Sequence, residues 1–158
     1  MTQPGKPGTL ALVLGTAGGL GYLPLVPGTW ASAATLPVGW LLAMAGGMPA
    51  LVAASLLVFA VGVAVSARIV ARTGVEDPSI IVIDEVAGQL LALAVAPLTW
   101  QAYLVAFLAF RVFDIVKPWP ASWADREIGG GWGVMVDDMF AGAYGAAVVY
   151  AFVWQGWI

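Results

Sequence analysis

Residues 110–142 read FRVFDIVKPWPASWADREIGGGWGVMVDDMFAG, and this stretch decides how the rest of the chain is interpreted. It holds eight of the fifteen charged residues of a chain that is 61% hydrophobic and only 9% charged. It places Arg111 and Asp114 at helical spacing, then Lys117 before two prolines, then Asp137 and Asp138 at the start of an apolar run. Acids beside lipid-length hydrophobic segments are costly, so they indicate function.

Composition identifies an integral membrane protein, with a single domain expected over residues 1–158. The mean hydropathy of +0.94 lies well outside the range of soluble proteins. No basic stripe is present, so no nucleic-acid partner is expected. The chain has no cysteine and no histidine, which excludes disulfides and catalysis by thiolate or imidazole. A hydrolytic reaction would therefore depend on carboxylates, hydroxyls, cations and a hard metal bound through oxygen.

Apolar runs separated by Gly/Pro turns predict an all-α polytopic membrane bundle of about five spans. Residues 1–8 form a polar leader. The run Thr9–Tyr22 is too short and too rich in glycine for a span, so a re-entrant or interfacial helix is expected there. A loop is expected over Lys117–Gly133. The predicted spans are Trp30–Ala45, Ala50–Ala67, Ile80–Pro97, Tyr103–Phe113 and Val134–Trp154.

The six Lys and Arg residues predict the orientation in the membrane. All lie in the leader or between Arg68 and Arg126, whereas the turns at 46–49 and 97–101 and the C-terminal end carry none. Because cytoplasmic loops are enriched in Lys and Arg, the charged ends should face the cytoplasm. Alternating the spans brings four segments to that face: the PGTWAS turn at 27–32, Arg68–Ser79, Arg111–Gly133 and the start of the last span.

Asp84 and Glu85 lie about one turn inside a predicted span. A charge at the bilayer centre costs about 3 kcal/mol, so the pair is expected to face the bundle interior. The same applies to Asp137 and Asp138, and together with Asp114 these acids form an oxygen-rich cluster of the kind that selects Mg²⁺. The alternative is that each pair caps a helix start, where the macrodipole favours anions. That alternative is weaker for the first pair, which lies past the predicted first turn.

Two cations and one turn are candidate phosphate contacts. Arg111 offers a guanidinium fork for phosphate and is also the i,i+3 partner of an aspartate, and both roles are compatible. Lys117 suits a phosphate or an anionic lipid, with a snorkelling interfacial lysine as the alternative. Gly28, Thr29 and Ser32 begin a helix whose backbone N–H groups suit an anion, although Thr and Ser are also the commonest N-caps.

The remaining features have structural interpretations. Arg68 and Arg72 are interpreted as determinants of topology. Gly88 and Gly142 each lie four residues after an acid and would let helices approach closely there. The three tryptophans of the 117–133 loop, Trp119, Trp123 and Trp132, are typical of an aromatic belt at a membrane interface.

Three blocks of sequence together resemble the phosphatidylglycerophosphatase A family of bacterial lipid phosphatases. They are PLVPGTWAS at 24–32, DPSIIVIDEVAGQ at 77–89, and FRVFDIVKPWP followed by GGWGVMVDDMFAG within 110–142. The resemblance covers most of the chain, and the order, the spacing and the five acids make it specific. Ala31 stands where a glycine is expected, and Ala121 replaces an aliphatic residue. Neither departure touches an acid.

The resemblance implies the activity and its setting. The family removes the phosphate monoester from phosphatidylglycerophosphate to give phosphatidylglycerol, requires Mg²⁺, and lies in the bacterial inner membrane with its site facing the cytoplasm. The expected fold is an all-helical bundle. The resemblance assigns metal or catalytic roles to Asp84, Glu85, Asp114, Asp137 and Asp138, and phosphate contact to Arg111 and Lys117.

The residues alone lead to the same chemistry less specifically. Phosphate monoester hydrolysis is very slow without a catalyst, so a site without histidine must rely on electrostatic stabilisation and an activated water. Our hypothesis is that the acids hold one or two Mg²⁺ ions, Arg111 or Lys117 neutralises the phosphate, and water attacks phosphorus with one carboxylate as base. A covalent route through an Asp or Thr29 stays open.

Two other classes of protein use acids within membrane helices. A small ion-coupled transporter or channel is the main alternative, because intramembrane acids also mark ion pathways. Against it, the acids cluster towards one face, and no inverted repeat is visible. A phosphotransferase of phospholipid headgroups ranks last, because its D-G-x-x-A-R spacing is missing.

Overall fold

The computed structural model describes residues 7–158 and contains only helices and connecting turns in that range. The predicted all-α fold is confirmed. Most of the polar leader, including Lys6, lies outside the described residues. A short 3-10 turn, Leu20–Tyr22, follows the first helix. The α-helices are α1 Thr9–Gly15, α2 Pro27–Thr73, α3 Ile83–Leu93, α4 Trp100–Val116, α5 Ala121–Glu127 and α6 Gly130–Trp154.

Helix α2 is a helical hairpin. Its backbone leaves helical geometry at Gly47, with φ 60° and ψ −150°, a conformation that glycine adopts readily. A Cβ atom on Gly39 would lie 3.7 Å from the side chain of Leu51, whereas twelve residues of unbroken helix would separate the two by about 18 Å. The chain therefore turns back at Gly47, as predicted between the spans Trp30–Ala45 and Ala50–Ala67.

Helix α3 is shorter than the predicted span Ile80–Pro97, with 11 residues. The N–H of Val82 donates to the carbonyl oxygen of Gly15 at 2.9 Å, so the segment before the helix is held by α1. At the other end, Pro97 disfavours helical backbone in the residue before it. The helix is therefore shorter than the apolar run, with a tertiary hydrogen bond before its start and a proline after its end.

Two other predicted boundaries, those of the loop at 117–133 and of the last helix, are also wrong. The predicted loop Lys117–Gly133 contains α5, which begins directly after Pro120. Helix α6 begins at Gly130 although Val134 was expected, and its first turn packs so closely on the second arm of α2 that a Cβ on Gly131 would meet backbone atoms there. Close packing there outweighs the low helix propensity of glycine.

Helix α4 is longer than the predicted Tyr103–Phe113 at both ends. Thr99 caps its start, where the hydroxyl oxygen accepts from the N–H of Ala102 at 3.3 Å. A Thr N-cap of this kind satisfies an otherwise unpaired N–H group of the first turn. Lys117 ends the helix in a left-handed conformation with φ 46°.

Helix α3 lies in the middle of the bundle, against α2, α4 and α6. Seven of its 11 residues are buried. A Cβ on Gly88 would lie 2.5 Å from the carbonyl oxygen of Asp138, and a Cβ on Gly142 would overlap the carbonyl group of Gly88. The close approach expected at these two glycines is confirmed, and it brings the backbones of α3 and α6 into direct contact.

Two helices, α2 and α6, are long and apolar enough to cross a membrane. Helices α3 and α4 have 11 and 17 residues, fewer than the ~20 that a perpendicular span needs. The two long apolar helices support association with a membrane. The predicted count of five spans stays a prediction.

The α3–α6 contact predicts the effect of adding one methyl group. We expect Gly142→Ala to lower the free energy of unfolding by about 1–3 kcal/mol, because the new Cβ meets backbone atoms of Gly88 that cannot rotate away. Thermal unfolding in detergent, followed by tryptophan fluorescence, measures this effect. Ala143→Leu is the control, because Ala143 is exposed on the same helix and the larger addition there should change little.

Candidate active site

A cavity of about 670 Å³ opens at one end of the bundle. All nine Asp and Glu residues of the chain line it, together with Arg111, Lys117 and Arg126. With every group ionised, nine carboxylates against three cations leave an excess of six negative charges. The lining comes from the four segments that were predicted to converge: the start of α2, the segment before α3, the end of α4 through α5, and the first turns of α6.

Asp84 and Glu85 of α3 and Asp138 of α6 form the centre of this cavity. One oxygen atom from each carboxylate lies within 4.8 Å of the other two. Oδ1 of Asp84, Oε2 of Glu85 and Oδ2 of Asp138 are buried without a hydrogen-bond partner among the described residues. An unpaired buried carboxylate costs several kcal/mol, so this three-carboxylate cluster fits a cation bound through oxygen.

Asp114 and Asp137 line the same cavity but are paired with cations. Nη1 of Arg111 lies 2.6 Å from Oδ2 of Asp114, and Nζ of Lys117 lies 2.7 Å from Oδ2 of Asp137. The side chain of Asp137 is 8% exposed. The five acids predicted from the sequence therefore divide into the three-carboxylate cluster and two ion-paired acids beside it.

The acids occupy different helix positions from those predicted. Asp84 and Glu85 lie in the first turn of α3, although they were expected one turn further in. Asp137 and Asp138 lie about two turns inside α6, because that helix begins at Gly130. The macrodipole therefore favours the first pair and not the second. It contributes about 0.3–1 kcal/mol per group, less than the several kcal/mol needed to bury a carboxylate.

Arg111 and Gly28 meet at the side of the three-carboxylate cluster. A Cβ on Gly28 would overlap Oε1 of Glu85 and would lie 3.2 Å from Nη1 of Arg111. Only glycine therefore fits at this point of α2 without moving a charged side chain. Nε of Arg111 is buried without a hydrogen-bond partner among the described residues, whereas Nη1 is engaged with Asp114 at 2.6 Å. Arg111 thus keeps donors for an anion while it faces Asp114.

The structure does not bring Thr29 and Ser32 to the cavity. The hydroxyl of Ser32 is fully buried and donates to the carbonyl oxygen of Gly28 at 2.8 Å within α2. The N–H of Thr29 donates to the carbonyl oxygen of Val26. Of the three turn residues predicted to contact phosphate, only Gly28 lines the cavity.

Lys117 connects α5 to α6. Its ammonium group donates to Oδ1 of Asp125 at 2.5 Å and to Oδ2 of Asp137 at 2.7 Å. Burial lowers the pKa of Lys117, but the hydrogen bonds to both carboxylates raise it more, so its pKa lies above the ordinary value. The ammonium group therefore stays protonated near neutral pH. It is already engaged with two carboxylates, which leaves less of it for a phosphate.

Sequence reasoning missed the role of α5 and the acids at the cavity mouth. Asp125 was not singled out, because its pairing with Lys117 depends on a helix that was predicted as loop. The available sequence signals for these acids were the segments DPS at 77–79 and ADRE at 124–127. The exposed acids at the cavity mouth are Glu76, Asp77, Asp125 and Glu127.

Comparison with known proteins supplies the family. The sequence pattern of phosphatidylglycerophosphatase A matches residues 13–153. Phosphatidylglycerophosphatase A of Haemophilus influenzae is 38% identical over 134 residues, which cover 84% of this chain and 82% of that protein. The enzyme of the same name from Escherichia coli is 36% identical over 141 residues, or 88% of this chain and 80% of that protein.

A third relative carries a different name. A Bacteroides thetaiotaomicron protein with the provisional name phosphatidylinositol-3-phosphatase is 33% identical over 156 residues, covering 94% of this chain and 97% of that protein. No solved structure matches the chain. These relatives are named as lipid phosphatases, so the transporter alternative is not supported.

The Lys117 bridge predicts a stability cost with a specific rescue. We expect Lys117→Met to lower the free energy of unfolding by about 2–3 kcal/mol, because it leaves the buried carboxylate of Asp137 without a partner. Denaturant unfolding in detergent measures this. The double variant Lys117→Met with Asp137→Asn should recover most of the loss, whereas Asp125→Asn, which removes the exposed partner, should cost under about 1 kcal/mol.

Equal losses for Asp125→Asn and Lys117→Met, or no recovery in the double variant, would contradict the buried pair as the source of the stability.

Proposed function

We infer that the chain, which belongs to the phosphatidylglycerophosphatase A family, is a lipid phosphatase that hydrolyses the phosphate monoester of phosphatidylglycerophosphate to phosphatidylglycerol and phosphate. The family match over residues 13–153 includes every residue that lines the acidic cavity. The observation that carries the proposal is this gathering of all nine carboxylates around one opening, next to an arginine whose buried Nε has no hydrogen-bond partner among the described residues. Phosphate monoester chemistry needs both a bound cation and an anion contact.

We propose that Mg²⁺ binds at the three-carboxylate cluster. Asp84, Glu85 and Asp138 offer only oxygen donors, which suits a hard divalent cation. A bound Mg²⁺ would neutralise charge on the phosphate and make water a better nucleophile. Asp114 and Asp137 are the other acids predicted to bind metal, and each already shares one carboxylate oxygen with a cation.

The chain's own residues supply the remaining functions. Arg111 binds the oxygens of the phosphate, because its buried Nε has no hydrogen-bond partner among the described residues. Lys117 holds Asp137 and α5 in place and is the weaker candidate for phosphate contact. A cavity carboxylate accepts the proton of the attacking water as the new oxygen–phosphorus bond forms, and the glycerol oxygen takes up a proton as its bond to phosphorus breaks. Thr29 lies outside the cavity, so a covalent route would use an aspartate.

The proposed setting is the bacterial inner membrane, with about five spans and the cavity facing the cytoplasm. Supporting it, α2 folds back at Gly47 and α6 is long and apolar. The cations Arg68, Arg111, Lys117 and Arg126 all belong to the segments 68–79 and 111–133, which also contribute residues to the cavity. Cytoplasmic ends of membrane proteins are enriched in such residues.

Neutralising one cluster carboxylate on either helix, α3 or α6, should remove most of the activity. We expect Asp84→Asn and Asp138→Asn each to reduce Mg²⁺-dependent phosphate release about 100-fold or more, because each neutralises a carboxylate of the cluster without changing its shape. Phosphate release from phosphatidylglycerophosphate in detergent, with EDTA as a second arm, measures this. Thermal unfolding at or above the temperature of the unsubstituted protein shows that the loss is not due to misfolding.

Glu76→Gln is the matched control, since Glu76 is an exposed acid outside the three-carboxylate cluster, and it should lose less than about threefold. Phosphatidylinositol 3-phosphate and phosphatidate serve as competing substrates, because one relative is named for the former. Near-normal turnover in the Asp84 variant would confine the site to α6 and its neighbours. Full activity in EDTA would remove the metal from the proposal.

Cysteine labelling tests the topology cleanly, because the chain has no cysteine of its own. Gly129→Cys places a thiol at the cavity mouth, where nothing lies within 4 Å of an added Cβ. Met48→Cys places one beside the α2 hairpin turn, at a side chain that is 56% exposed. A membrane-impermeant maleimide should label the first only in inverted vesicles and the second only in right-side-out vesicles. Labelling of both from the same side would exclude the proposed arrangement.

A further inference from the structure

A second cavity, of about 590 Å³, lies between α1 and the C-terminal end of α2. We call it the α1–α2 groove. Its volume is within the range of about 300–1,000 Å³ typical of ligand sites. Leu10, Ala11, Leu14 and Val65 form its apolar part, and Arg68 and Arg72 its charged part. None of the nine carboxylates lines it, so its charge is opposite to that of the acidic cavity.

Arg68 and Arg72 lie one turn apart on the same face of α2. Both are exposed, and neither forms an ion pair within residues 7–158. An arginine in the last turn of a helix interacts favourably with the macrodipole, and arginines at span ends also fix topology. Neither effect requires an apolar groove beside the guanidinium groups.

The apolar side of the groove is also exposed. Leu10 is 72% exposed and Leu14 is 37% exposed, one turn apart on α1. Two leucines that face outward next to two unpaired guanidinium groups form a surface with one apolar and one cationic part. A ligand that matches both parts carries a hydrocarbon chain and an anionic group.

We propose that the α1–α2 groove binds one anionic phospholipid, with its phosphate on Arg68 and Arg72 and an acyl chain along Leu10 and Leu14. Paired basic side chains at the cytoplasmic end of a helix attract anionic headgroups. The first six residues, MTQPGK, carry one cation and no acid, so they offer no charge complement to the arginines. The proposal rests on the membrane setting proposed above and is independent of the phosphatase activity.

Native mass spectrometry of the purified full chain tests the proposal, with phosphatidylserine as the anionic probe and phosphatidylcholine as the zwitterionic probe. Phosphatidylserine is neither substrate nor product of the proposed reaction, so retention does not report on the active site. We expect selective retention of one phosphatidylserine. Arg68→Gln and Arg72→Gln should each weaken it about fivefold, as expected for the loss of one guanidinium–headgroup contact.

Two further variants test whether the groove itself binds the lipid. Ala71→Trp, at an exposed position that lines the groove, should weaken retention of phosphatidylserine without changing the charge. Arg126→Gln removes an exposed cation outside the groove and should leave retention unchanged. Equal retention of both lipids, or an equal loss in the Arg126 variant, would overturn the proposal in favour of non-specific lipid adhesion. Phosphate release, assayed separately, tests the phosphatase proposal.

Discussion

The direct backbone contact between α3 and α6 is the constraint on which the acidic cavity depends. Gly88 and Gly142 remove the side chains that would hold the two helices apart, so each backbone touches the other. Ordinary helix pairs lie 8–10 Å apart, with side chains between their axes. Here the missing side chains bring Asp138 beside the first turn of α3, and the cluster forms across the contact. Small residues at this crossing therefore set the spacing of the carboxylates.

This arrangement has an electrostatic cost that the fold offsets only in part. Arg111 and Lys117 pair with the two acids beside the cluster, and Lys117 draws in Asp125 as well. The three carboxylates at the centre keep oxygens without hydrogen-bond partners. A protein selected for stability alone would replace such a group with apolar side chains, since buried charges seldom stabilise a fold. Their presence in the bundle interior supports the proposal that a cation completes the site.

Much of the fold follows from the sequence, because the apolar runs and the Gly/Pro turns fix the helices and the hairpin at Gly47. The interior position of Asp84 and Glu85 also follows, since lipid cannot solvate them. What the sequence hides are features created by tertiary contact. The hydrogen bond from Val82 to Gly15 holds the segment before α3, and Gly131 packs against α2 in the first turn of α6, which the sequence pattern did not include. The pairing of Lys117 with Asp125 was hidden likewise, because it depends on where α5 lies.

The separation of charge in the bundle is the last feature that needs a physical reason. The acidic cavity and the α1–α2 groove share no lining residue. The groove includes Arg72 near the end of α2, and the lining of the cavity resumes only four residues later, at Glu76. If Arg68 and Arg72 reached the carboxylates, they would neutralise the acids and compete with a metal ion. Helix α1 packs through Gly15 on Val65 and Ile69 of α2, and the carbonyl oxygen of Gly15 accepts from the N–H of Val82, just before the acids. The same short helix thus braces the start of α3 and lines the groove that holds the two arginines.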